Sequence, residues 1–186
     1  MAARSSAPEK RPGVFSQIKG IYKFTAETYK WLPYLLIGIL LVGAGLGVLI
    51  SGDMLLPRIS TNVSVFDSEP EANPLPMYLA SIRRLAELPA DTLVLPSHGK
   101  PFYGLRTRIE QLETHHEERL AVALNACQKH PCSAAELLEV LFKRRLDLHQ
   151  TTFAMGESIA HLHMLWRAGQ LRRVRGTDGV IRFSAV

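Results

Sequence analysis

Hydrophobic and polar positions divide this chain into a basic leader, one long apolar run and a mixed remainder. No charged side chain occurs from Trp31 through Gly52, and twenty residues of that run, 31–50, would span about 30 Å as a helix, the thickness of a bilayer's hydrocarbon core. Pro33 would fall in the first turn, where a missing N–H costs little, with Trp31 and Tyr34 at the interface. The pattern predicts a transmembrane helix over 31–50 behind a basic segment, 1–30. Gly43 and Gly47 have the small-xxx-small spacing that lets two membrane helices approach, which would permit self-association. Residues 47–50 also read as a strand entering Asp53. Either the helix ends near Gly43 to Gly47 and the strand follows directly, or two unrelated pieces join near residue 47.

Beyond the run the periods are shorter. A strand end at Asp53 is followed by a Glu- and Pro-rich loop over 68–73, a helix from about Leu75 to Leu88 and an apolar strand over 92–95. Ile109, Leu112, His116, Leu120 and Leu124 recur at three- and four-residue steps, predicting a long amphipathic helix that starts near Arg106. Ser133 and Glu136 form a capping box ahead of Leu137, Leu138, Leu141 and Phe142. Met155, Ile159, Leu162 and Trp166 make the stripe of a further helix, stopped by Gly169. Leu171 to Arg175 and Val180 to Phe183 flank Gly-Thr-Asp-Gly, a hairpin signal.

Charge sharpens the division. Of the formal net charge of +5, most lies in residues 1–30, where six basic side chains face Glu9 and Glu27. A basic flank before an apolar span puts the N-terminus in the cytoplasm of a single-pass membrane protein. A signal peptide is the other reading, although no clear Ala-x-Ala site follows. His115 and His116, among Glu113, Glu117 and Glu118, read as a solvated face; His130 and His149 read as loop residues. Cys127 and Cys132 fit neither a zinc ribbon nor a thioredoxin motif and read as two unpaired thiols that would pair if exported.

Candidate chemistry sits at two strand ends. Gly-Val-Leu-Ile-Ser-Gly-Asp-Met-Leu-Leu-Pro at 47–57 delivers Asp53, and Leu-Pro-Ser-His-Gly-Lys-Pro at 95–101 delivers His98. A carboxylate and an imidazole at the ends of apolar strands are half of a zinc site. With the segment at 70–88 and Met-Gly-Glu-Ser-Ile-Ala-His-Leu-His at 155–163, these residues resemble the metallo-β-lactamase-fold hydrolases whose catalytic domain carries a small winged-helix appendage. The resemblance covers about 47–186. It implies an α+β chain with the C-terminal part of an αββα domain over 51–103 and a winged helix over 104–186. The N-terminal fifty residues resemble short bacterial membrane proteins of unknown function, and without that segment the expected location is cytoplasmic.

By the same resemblance, Asp53 would bridge two zinc ions, His98 would complete the second site, and His161 would make a domain-packing hydrogen bond. A zinc-bound hydroxide in such proteins attacks an ester, thioester or phosphodiester, so a small-molecule ester or thioester, or single-stranded RNA, is the implied substrate. The other ligands come from an upstream His-x-His-x-Asp-His loop and a further upstream histidine. The first histidine of this chain is His98. The expectation is an incomplete site with little zinc affinity and no hydrolysis by the chain alone.

A second reading is a membrane-tethered winged-helix module that binds DNA or a partner. Arg167, Arg172, Arg173, Arg175 and Arg182 face the single acid Asp178 over the last helix end and the hairpin, a set suited to phosphates. Against DNA, the start of the would-be recognition helix offers Glu157, Ser158 and His161, with no Asn, Gln or Arg to read base edges.

Overall fold

The computed structural model describes residues 45–186, and Gly47–Val186 form one compact α+β unit. The basic segment, Gly43 and most of the apolar run lie outside the described residues. The end of that run is a strand: β1 spans Val48–Gly52. Val48, Leu49 and Ile50 are therefore not the last turn of a helix, and Gly47, at φ 67°, is a turn residue rather than a helix-packing position. Among the described residues no helix is long and apolar enough to cross a membrane.

Helix α1, Pro74–Leu85, follows β1. Its prolines sit at the first helical positions, where no N–H is needed, and Leu75, Tyr78, Leu79 and Ile82 bury one face. Strand β2, Leu93–Pro96, then pairs parallel to β1, with Leu49 opposite Val94 and a register shift between Ile50 and Gly52. Parallel two-stranded pairing with a helical crossover is the βαβ unit. Ile50 remains 53% exposed, so one face of this small sheet is uncovered.

Helix α2 runs Leu105–Lys129, α3 Ala134–Leu141 and α4 Leu148–Arg167; β3, Leu171–Arg175, and β4, Ile181–Ala185, close the chain as an antiparallel hairpin. The expected order of three helices and a hairpin is present. The capping box is formed, Ser133 Oγ accepting from Glu136 N and Glu136 Oε2 accepting from Ser133 N. Helix α4 starts earlier than its apolar stripe suggested, because Asp147 caps it through Gln150 N at 2.8 Å. His149 is thus a first-turn helical residue, not a loop residue.

Two apolar clusters fill the unit. One gathers Leu55, Leu75, Ile82, Val94, Leu105 and Ile109, and the other Ala123, Leu137, Leu162, Leu165, Leu171 and Phe183. Leu120 of α2 packs against both, and α4 supplies Ala160 to the first and Leu162 to the second. The free thiols of Cys127 and Cys132 lie 3.1 Å apart inside the second cluster, where Cys132 also pairs with Phe183 of β4.

The loop ahead of α1 is pinned to α4 at Gly156. Val65 N donates to Gly156 O at 3.1 Å, and a Cβ at this glycine would stand 2.6 Å from Ser64 Cβ and 3.1 Å from Val65 O. Gly156→Val is expected to cost about 3 kcal/mol in urea unfolding, as an overpacked core site does. A loss under about 0.5 kcal/mol, the scale of a neutral surface change, would show that this contact is not tight.

Candidate functional site

The ends of β1 and β2 are tied before either functional side chain is considered. Ser97 N donates to Gly52 O at 3.0 Å, Met54 N to Ser51 O at 3.0 Å, and the buried Ser51 hydroxyl to Leu55 O at 3.0 Å. Gly52, at φ 54°, adopts a conformation that disfavours a side chain, and the turn aims Asp53 across the sheet end. There Ser97 Oγ donates to Asp53 Oδ1, and His98 Nε2 stands 3.6 Å from the same oxygen. The two residues singled out from sequence, 45 positions apart in the chain, do meet.

His98 is followed by Gly99, at φ 88°, where a Cβ would stand 2.7 Å from Pro57 Cγ; only glycine lets the two loops touch. Between these loops lies a cavity of about 470 Å³, whose walls include Pro57, Arg58, Ile59, His98, Lys100 and Phe102. That volume falls within the range of small-molecule sites.

A catalytic zinc takes three protein ligands and a water. Asp53 and His98 are two donors of the right chemistry, both with exposed side chains, and no group of three or more His, Cys, Asp or Glu suited to a metal occurs among the described residues. The pair fits a corner of a metal site and, by itself, not the whole.

The five arginines are spread over several tasks. Arg173 makes a bidentate pair with Glu71, Nη1 to Oε2 at 2.6 Å and Nη2 to Oε1 at 2.8 Å, and holds that carboxylate below the usual range. Arg167 stacks 4.2 Å from the Trp166 ring and lies 3.7 Å from Glu71. Arg182 pairs with Asp178, Arg175 donates to Gly179 O, and Arg172 is exposed on β3. Glu157, Ser158 and His161 are buried in the middle of α4 and present nothing to a DNA groove.

A buried polar cluster lies between α2 and α4. His116 is fully buried, not part of a solvated face, and its Nδ1 is 3.2 Å from His161 Nε2. His161 Nδ1 lies 2.8 Å from Glu157 O, a carbonyl that can only accept. Hence His161 carries its proton on Nδ1, and His116 Nδ1–H donates to His161 Nε2. Burial pushes His116 down to about 3 and His161 to about 4, while the buried Glu157 carboxyl is raised, against the pull of Arg119 3.7 Å away. The expected packing hydrogen bond of His161 is formed. The sequence signal for His116 was its place four residues from both Leu112 and Leu120 on the apolar stripe.

Residues 120–186 match the family model described as metallo-β-lactamase-like, C-terminal domain. The fold resembles that of a β-lactamase domain protein from Burkholderia ambifaria, 60% identical over a match covering 77% of this chain and 42% of that one, with a TM-score of 0.75. It also resembles a metallo-β-lactamase family protein from Thermus thermophilus, 36% identical, covering 77% and 43%, with a TM-score of 0.65. The chain spans less than half the length of either protein. No curated protein matches it.

Proposed function

We propose that the chain is a C-terminal part of a metallo-β-lactamase-fold, metal-dependent hydrolase, with residues 104–186 as its winged-helix portion and with Asp53 and His98 as the metal ligands this part contributes. The observation that carries the reading is the parallel pairing of β1 and β2, whose ends bring a carboxylate and an imidazole to 3.6 Å. The 60% identity to a β-lactamase domain protein supports it. An ester, thioester or phosphodiester is the substrate class that goes with it.

Because the described residues supply two donors, hydrolysis belongs to an assembly that adds the remaining ligands. The chain's own residues position what they hold. Ser97 donates to Asp53 Oδ1 and fixes that carboxylate, while Gly52 and Gly99 set the two turns. The arginines of α4 and the hairpin act in this reading mainly as internal packing, Arg173 holding the loop at Glu71 against Trp166.

Two zinc measurements test the proposal. The 186-residue chain should carry well under one zinc per molecule by elemental analysis, as two ligands leave the ion under-coordinated. Residues 47–186 fused behind the part of the Burkholderia ambifaria protein that this chain does not match should bind zinc and hydrolyse a generic ester. In that fusion Asp53→Ala should lower turnover by about 100-fold or more and release metal. Zinc and turnover unchanged by Asp53→Ala and by His98→Ala would overturn the ligand assignment.

A further inference from the structure

We infer that the cavity beside His98 is an anion-recognition subsite that takes the phosphate of an organic phosphate ester, a substrate feature that rests on the hydrolase reading above. The argument begins with how the chain deploys its cations. Arg83 pairs with Glu113, Arg119 with Glu157, Arg173 with Glu71 and Arg182 with Asp178. Arg106 and Arg108 direct their guanidinium groups to backbone carbonyls. Arg58 and Lys100, like Arg84, Lys129, Lys143, Arg145 and Arg172, make no ion pair or side-chain hydrogen bond among the described residues, but these two share one cavity with His98.

Asp53 stands beside the cavity, 3.6 Å from His98 Nε2, but no acidic side chain lines the cavity itself, so the two cations on its walls are free to attract an anion there. The placement is built rather than incidental. Arg108 of α2 donates through Nε to Leu56 O at 2.7 Å and through Nη2 to Ile59 O at 2.9 Å, clamping the backbone on either side of Arg58. On the opposite wall, Phe102 exchanges two backbone hydrogen bonds with Val94 of β2, N to O at 3.0 Å and O from N at 2.8 Å, which fixes the loop carrying Lys100. Preorganised loops of this kind lower the cost of ordering a bound ligand.

Chemistry then selects the ligand. A guanidinium offers a planar fork to two phosphate oxygens and an ammonium adds a point charge, while Pro57, Ile59 and Phe102 give an apolar wall for the group the phosphate esterifies. Both cations are solvent-exposed, so a ligand reaches them from open water and binding should weaken as salt rises.

The test is titration of the zinc-free 186-residue chain with phenyl phosphate, followed by calorimetry. Phenyl phosphate should bind at least about tenfold more tightly than inorganic phosphate, benzoate or phenol, since only it uses both the charge and the wall. Arg58→Gln and Lys100→Gln should each weaken binding about tenfold, whereas Lys143→Gln, after α3, should leave it unchanged. A 5′-phosphorylated hexanucleotide distinguishes two sources of the same chemistry: binding tenfold tighter than phenyl phosphate assigns the site to a strand end, and equal binding assigns it to a small phosphate ester. Equal affinity for phenyl phosphate and benzoate, or binding that survives the Arg58→Gln, Lys100→Gln double substitution, would overturn the inference. Because no metal takes part, this result is independent of whether zinc assembles at Asp53 and His98.

Discussion

Acidification from pH 7.5 to pH 5 should lower the unfolding free energy of the chain by about 3 kcal/mol, with His116 and His161 as the main cause. Both imidazoles are buried and neutral in the fold, held down to about 3 and about 4, whereas a histidine in the unfolded chain titrates near 6.5. Above that unfolded value their contribution to stability is fully present. As pH falls below it, the unfolded chain takes protons that the fold refuses, and stability drains continuously toward the folded values. Each histidine contributes about 2 kcal/mol to the loss at pH 5. Glu157 works in the opposite sense, since its raised carboxyl lets the fold take a proton before the unfolded chain does, and it offsets part of the drop. The groups facing the pair are Tyr78 on α1, His115 and Arg119 on α2 and Glu157 on α4. Urea unfolding at the two pH values, read by circular dichroism, checks the size. His116→Gln and His161→Gln should each flatten the pH dependence, and slopes equal to that of the unmodified chain would refute the assignment.

Arg119→Met should destabilise the fold by about 3 kcal/mol at pH 7.5, the usual result of stranding one half of a buried pair. Arg119 is where three helical segments meet. Its Nε donates to His115 Nε2 at 3.0 Å, its guanidinium sits 4.6 Å from the Phe142 ring, and Nη1 lies 3.7 Å from Glu157 Oε1. At that last distance the contact is attraction between charges rather than a hydrogen bond, and both atoms lack any other partner in the described structure. Removing the cation leaves a carboxylate whose side chain is 11% exposed with nothing to balance it. The double variant Arg119→Met, Glu157→Gln should recover about half of the loss, giving a coupling of at least about 1 kcal/mol in the double-mutant cycle. Strictly additive effects would show that Arg119 acts through Phe142 and His115 alone.

What could be read from the chain follows the range of the interactions involved. The Ser133–Glu136 box is legible because both partners lie within one turn of helix, and Gly169 and Gly179, at φ 74° and 79°, mark a helix stop and a hairpin turn by local backbone demand. The start of α4 was hidden because His149, Thr151 and Thr152 carry no apolar period, although Asp147 gave a cap signal. His116 carries two conflicting signals, a place on the apolar stripe and the exposed neighbours Glu117 and Glu118 that suggest a solvated face, and the stripe is the one that holds. The arginine cluster was visible as charge, but its main acid, Glu71, stands 102 positions from Arg173, beyond any local pattern. Asp53 and His98 were found at the same kind of separation because apolar strands bounded by glycine announce where a side chain emerges. The cavity beside them has no local signature in the chain, since it depends on the reach of Arg108 across 52 and 49 positions.

The two apolar clusters do not own separate helices. Leu105, Ile109 and Leu112 at the front of α2 belong to one, and Ala123 and Cys127 at its rear to the other, with Leu120 between them and α4 running alongside through both. A helix propagates order along its length far more readily than it nucleates. Loss of either cluster would expose half of a rod whose other half is still buried, so heat or denaturant should meet one cooperative block where the order of elements suggests two.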